Sequence, residues 1–208
     1  YKIAITNVMV MGSFMLNGER KMLPRGTTPA TLATAVPQGA TDVQTAQATT
    51  RIETFVSAGE PTRDIFKPTG KGLEMVPVTH PNDAAVGEPA TFQFLLNGKP
   101  AANLDFTAVP GGVRYRQDLK QIDAKTDIEG KVTLTWPDAG MYWVSVSTGG
   151  RRGPGGPEGG PGGPGAAAPA PQGQGQGQSG GEPPAGPRPP MGPPQDRATY
   201  AMTIEVQG

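Results

Sequence analysis

The chain has 208 residues, with 18 basic and 18 acidic side chains, one histidine and no cysteine. That balance gives no electrostatic case for a nucleic-acid or membrane-surface partner. The missing cysteine removes disulfides, thiolate catalysis and every cysteine-based metal site, and no apolar run approaches the ~20 residues that a membrane-spanning helix needs.

The first predicted element begins at once. Tyr1, Ile3 and Ile5 alternate with Lys2, Ala4 and Thr6, which is a strand pattern. Natural domains seldom begin in mid-strand, so the expectation is a fragment whose earlier strands and export signal lie upstream. Met9, Met11 and Met15 follow; thioethers suit Cu(I), but Met9 and Met11 share a strand face and core packing explains them equally. Residues 28–37 could hold a short helix, although Pro29 and Pro37 weaken it. Thr50 to Val56 is again an alternating strand. These pieces predict that residues 1–66 are the C-terminal part of a truncated β-rich unit.

A second β unit is expected over residues 70–208. Leu73 to Val78 reads as a strand ended by Pro77 and Pro81. Phe92, Phe94 and Leu96 share one face of the next strand. Asn97-Gly98-Lys99-Pro100 is a turn, because Asn-Gly favours positive φ. Leu104, Phe106 and Ala108 continue beyond it, and Pro110-Gly111-Gly112 breaks the chain. Thr126 to Gly130 is a polar turn opening onto Val132, Leu134 and Trp136. Pro137 to Gly140 turns into the strand of Tyr142, Val144 and Val146. Short strands at this spacing predict an all-β fold, an Ig-like or prealbumin-like β-sandwich.

Seventeen glycines and thirteen prolines fall between Gly149 and Pro194. Ordering such a stretch costs on the order of 1–2 kcal/mol per residue, and it offers one large apolar side chain, Met191. The region 149–197 is therefore expected to be a disordered insertion. Beyond it Tyr200, Met202, Ile204 and Val206 form a clean apolar face. Lengthening a loop this far adds only about 2 kcal/mol of closure entropy. The tail should therefore return as the last strand of the same sandwich.

Candidate chemistry is sparse. His80, at a strand end, could hold a divalent metal with Asp83 and Glu74; one imidazole and carboxylates bind a borderline metal such as nickel or cobalt weakly unless other ligands join. The competing reading is a turn residue hydrogen-bonded to its own loop. Arg114 and Arg116 flank Tyr115; on a strand they would share a face and could bind a carboxylate or phosphate. No paired carboxylates of the glycosidase kind, nucleophile elbow, phosphate loop or His-Glu-x-x-His motif stands out. The chain reads as non-enzymatic.

The segment Gly72-Leu73-Glu74-Met75-Val76-Pro77-Val78-Thr79-His80-Pro81-Asn82-Asp83 resembles a bacterial family of domains of unknown function. That family is linked to the periplasmic component of cobalt/nickel uptake of the ABC type. The likeness continues through Phe92 to Pro100, Pro110 to Arg116, Trp136 to Trp143 and the final Tyr200 to Val206 strand. It implies an exported, periplasmic accessory of transition-metal uptake, with iron or copper served equally well. A membrane metal transporter or an outer-membrane receptor would be its partner. Relatives in nickel uptake carry an early histidine for which no position here matches. The alternative function is a structural or adhesive envelope module that binds protein or polysaccharide through its loops.

Overall fold

In the computed structural model, which describes residues 1–60, 62–115, 117–149 and 195–208, the first strand is longer than its opening alternation suggests. β1 (Lys2–Leu16) turns at Asn17-Gly18 into β2 (Glu19–Met22). Asn17 and Gly18 take φ values of 53° and 80°, the left-handed pair that matches strand twist in a two-residue hairpin. α1 (Leu32–Ala35) is a single turn inside the stretch where a short helix was expected. It stops because Pro37 drives Val36 into extended backbone, ψ 113°. β3 (Thr41–Phe55) then lies antiparallel along almost all of β1.

The remaining strands are β4 (Leu73–Pro77), β5 (Pro89–Leu96), β6 (Lys99–Pro100), β7 (Asp105–Pro110), β8 (Ile122–Lys125), β9 (Lys131–Thr135), β10 (Gly140–Ser147) and β11 (Arg197–Val206). β5 pairs with β4 on one edge and with β9 and the short β6 on the other. The second sheet runs β2-β1-β3-β11-β10-β7-β8. Setting aside the first three strands, β4, β5 and β9 pack against β8, β7, β10 and β11. This is an Ig-like sandwich in which the fourth strand, β8, hangs on the β7 edge.

The period-2 pattern explains the packing. Phe92 and Phe94 of β5 and Val132 and Leu134 of β9 point inward from one sheet. Phe106, Tyr142, Val144, Val146, Tyr200, Met202 and Ile204 point inward from the other. Phe94 meets Phe106 and Tyr200 across the gap at ring separations of 6.3 and 5.7 Å. Each fully buried side chain of this size stabilises by about 1.5–3 kcal/mol. Trp136 closes one end against Tyr142 at 4.8 Å. The Tyr142 hydroxyl donates to the Asp138 carbonyl at 2.9 Å, the backbone-locking tyrosine expected at this corner of Ig-like sandwiches. At the β9 turn only glycine fits: a Cβ on Gly130 would lie 2.4 Å from the Phe94 carbonyl oxygen, and its φ is 73°.

The tail re-enters the sheet. β11 pairs antiparallel with β10, Tyr142 opposite Ile204 and Val146 opposite Tyr200. Its other edge pairs in parallel with β3. The boundary drawn at 66–70 is therefore not a break in the sheet, because β3 and β11 share it. Phe55, Ile65 and Phe66 also pack on the sandwich core. The first strands do keep a small cluster of their own, Val10, Phe14 and Leu23, covered by Leu32 and Val36. The insertion expected to be disordered over 149–197 falls, from residue 150 to 194, outside the described residues; Arg197 already belongs to β11.

One strand expectation is corrected. Val113–Tyr115 is a 3-10 turn and Tyr115 is exposed. β7 ends at Pro110, whose ring nitrogen has no N–H for a ladder, and Gly112 at φ 76° turns the chain away.

Candidate binding cleft

The inner face of β3 carries Thr49, Arg51 and Glu53, where an ordinary sandwich strand would place apolar side chains. Glu53 is 2% exposed. Its carboxylate accepts a hydrogen bond from the Tyr200 hydroxyl at 2.8 Å, and it lies 3.6 Å from both Lys2 and Arg51. Arg51 also reaches Glu74 of β4 at 3.1 Å. Glu74 accepts in addition from the Thr69 amide and hydroxyl and from the Gly70 amide, at 2.8–2.9 Å. Two carboxylates, two cations and a phenol thus form one compact network across β1, β3, β4 and β11. A buried charge requires such partners, because an unpaired one costs several kcal/mol.

The network shifts its members as electrostatics demands. Burial pushes the Glu74 carboxyl up, but the Thr69 and Gly70 hydrogen bonds and the Arg51 charge outweigh it and hold the group below its ordinary value. Burial, then the Glu53 charge and hydrogen bond, raise the Tyr200 phenol well above its ordinary value.

Above this network lies a cleft of about 840 Å³. Thr6 and Val8 of β1 and Gln47, Thr49 and Arg51 of β3 form one wall. Thr69, Lys71, Gly72, Leu96 and Asn97 form another, and Thr148, Asp196, Arg197 and Ala198 close the end. Its charged lining is Arg51, Lys71 and Arg197 against Asp196. Asp196 accepts from the Gln47 amide at 2.8 Å and anchors the start of β11 against β3. Lys71 and Arg197 are exposed and form no ion pair among the described residues. A second cleft, about 600 Å³, opens near the far end of β3, with Ser57, Asn82, Asp83, Met141 and Glu205 among its lining.

The residues singled out from sequence are not gathered into one site. Glu74 is committed to Arg51, Thr69 and Gly70. His80 is buried; its Nδ1 accepts from the Asn82 amide at 3.1 Å, and its ring stands edge-on to Phe66 at 5.2 Å. That is the turn-capping alternative, since the acceptor begins the 3-10 turn Pro81–Asp83. His80 Nε2 has no hydrogen-bond partner among the described residues. Asp83 is exposed at the second cleft. Among the described residues no three His, Asp or Glu side chains stand close enough to hold a metal ion. Arg114 is exposed on its 3-10 turn, and Arg116 lies outside the described residues. Sequence reasoning passed over Arg51, Glu53, Lys71 and Arg197. The available signal was Arg51-Ile52-Glu53, two opposite charges on one face of a strand.

The fold is an all-β sandwich whose long sheet carries three additional strands, β2, β1 and β3, beside a concave cleft. Residues 1–150 match the family model described as Domain of unknown function (DUF4198), and the chain belongs to that family. The match ends before β11. No curated protein and no solved structure matches the chain.

Proposed function

We propose that the protein is a non-enzymatic periplasmic accessory of transition-metal uptake, and that it takes its metal as an anionic complex and not as the bare ion. The observation that carries this reading is the exposed charge of the large cleft, Lys71 and Arg197 against the one carboxylate of Asp196, Arg51 being paired with Glu53 and Glu74. Such a lining repels a free divalent cation and attracts a carboxylate chelate of one. Lys71 and Arg197 supply the exposed charge. The Thr6 and Thr49 hydroxyls and the Gln47 and Asn97 amides offer the neutral hydrogen bonds that orient a polar ligand. Support for the metal cargo itself comes from the resemblance carried by the Gly72–Asp83 and Phe92–Pro100 segments. Partnership with a membrane transporter or an outer-membrane receptor follows from the same resemblance.

Calorimetric titration tests the reading. The probes are nickel, cobalt, copper and iron salts, each alone and as its citrate complex. The expected result is binding of a citrate complex that weakens about tenfold in Lys71→Ala and again in Arg197→Ala, each loss near 1.4 kcal/mol. Tighter binding of a bare ion, abolished in His80→Ala, would overturn the anionic form. Binding of neither would favour the adhesive module, whose support is the exposed Trp143 and Met141 on the outer sheet face.

A further inference from the structure

We propose that Arg51 is the residue that recognises the ligand of the large cleft, and that the group it recognises is a carboxylate. The inference rests on the reading that this cleft takes an anion, and it adds the residue and the chemical group.

A guanidinium is planar and presents its N–H groups along fixed edges. The edge formed by Nε and Nη2 carries two parallel N–H bonds that match the two oxygens of one carboxylate. Arg51 commits its other nitrogen, Nη1, to the protein: it donates to Glu74 at 3.1 Å and lies 3.6 Å from Glu53. Nε and Nη2 have no hydrogen-bond partner among the described residues. Neither is sealed from solvent, since the side-chain polar atoms there that are both sealed and unpartnered are His80 Nε2 and Trp136 Nε1. The cleft is the space that Arg51 lines, so the free edge of the fork is available to what enters it.

The surroundings hold that edge ready. Glu53 and Glu74 are buried, and Glu74 is itself fixed by the Thr69 amide and hydroxyl and the Gly70 amide. An arginine anchored in this way loses little rotamer freedom when a ligand arrives. Thr6 stands opposite Arg51 on β1, and Thr49 lies two residues along β3; both line the cleft. Their hydroxyls can serve the remaining lone pairs of a bound carboxylate.

Charge favours a carboxylate over a phosphate. Lys2 and Arg51 stand against Glu53 and Glu74, so the network is neutral and Arg51 supplies direction instead of surplus charge. A phosphate docked there brings more negative charge beside two carboxylates that nothing offsets. A carboxylate brings one charge, spread over the two oxygens that the fork bonds. Lys71 and Arg197 draw the ligand in, and Arg51 discriminates.

The test is calorimetric titration of the 208-residue chain with sodium citrate and, separately, with inorganic phosphate, both without metal and at one ionic strength. Citrate should bind the tighter. Arg51→Lys keeps the charge and removes the fork; it should weaken citrate about tenfold and leave phosphate within about twofold. Lys71→Ala should weaken both alike. Glu74→Gln removes a negative charge beside the cleft, which by charge alone strengthens every anion; as the loss of a positioning residue it should weaken citrate. Should Arg51→Lys fail to fold, the unmodified chain supplies the reading: its Arg51 Nε–H nitrogen-15 resonance should move with citrate and stay in place with phosphate. Equal citrate affinity in Arg51→Lys, tighter citrate in Glu74→Gln or an unmoved Nε–H would overturn the role of Arg51 while leaving anion binding by the cleft intact. Phosphate bound as tightly as citrate would overturn the choice of carboxylate. Binding of neither anion would overturn this inference together with the reading beneath it.

Discussion

The long sheet joins two regions held by different forces. From β11 to β8 it backs onto a second sheet, and its inner face is aromatic and aliphatic, with Tyr142, Val144, Tyr200 and Met202 at most 1% exposed. From β3 to β2, among the described residues, no second sheet lies against most of its length. There the inner face is supported by the Lys2-Arg51-Glu53-Glu74 network and by the small cluster of Val10, Phe14 and Leu23. Non-directional burial stabilises the first region; geometry-dependent polar contacts hold the second. The second is also where the cleft of about 840 Å³ lies.

The comparison breaks most readily in the cores. Trp136→Ala should cost about 3–5 kcal/mol, since the ring is fully buried in a packed interior that cannot collapse around the gap. Phe14→Ala should cost about 2 kcal/mol or less, because its cluster is shallow. Urea denaturation gives both values. Amide exchange should show the Phe14→Ala loss confined to β1, β2 and α1 while β10 and β11 stay protected. Equal costs, or loss of protection throughout in both variants, would mean that the two regions form one cooperative core.

A smaller effect, specific to the polar region, is expected at Tyr200. Tyr200→Phe keeps the ring and removes the donor to buried Glu53, an effect of about 2 kcal/mol for a hydrogen bond to a charged group. The folded state keeps the phenol protonated above its ordinary value of 10.0. Its contribution is therefore complete below that pH and lost as the pH rises beyond it, through the higher folded value. Glu74 behaves in the opposite sense. Held below its ordinary 4.5, it contributes fully above that pH and loses its contribution as the pH falls through the lower folded value. Stability measured against pH should thus fall at both ends. Tyr200→Phe should flatten the alkaline limb and Glu74→Gln the acid limb, each leaving the other in place.

The smallest effect falls outside both regions. Lys67 and Asp64 pair at 3.1 Å but are 80% and 87% exposed. Lys67→Ala should change the unfolding free energy by no more than about 0.5 kcal/mol in a thermal melt. A larger change would show that the turn Asp64–Phe66, and not only the Phe66 ring, braces the join between the two regions.

Strands with one wet and one dry face were legible residue by residue. Val132, Leu134 and Trp136, or Tyr142, Val144 and Val146, announce their inner face through alternation, and Asn97-Gly98 announces its turn through the positive φ that Asn and Gly tolerate. The last residues of β3, from Thr50, were legible as a strand but not in their sidedness. Alternation alone puts Ile52 inside and Arg51 and Glu53 outside. The fold does the reverse, because Lys2, Tyr200 and Glu74 arrive from distant parts of the chain to satisfy the charges. His80 was legible as a turn residue through the proline that follows it. The cleft was not legible: Lys71 and Arg197 lie 126 positions apart, and nothing local links them.

The sequence by itself determined most strands of the sandwich, the Asn97-Gly98 turn and the return of Tyr200 to Val206 to the sheet. Each depends on side-chain period and backbone preference, which neighbouring residues carry with them. The tertiary structure decided which side of β3 faces inward and that β3 and β11 join two predicted units into one sheet. Those outcomes depend on pairings between distant segments, whose free energy exists only once the partners have met.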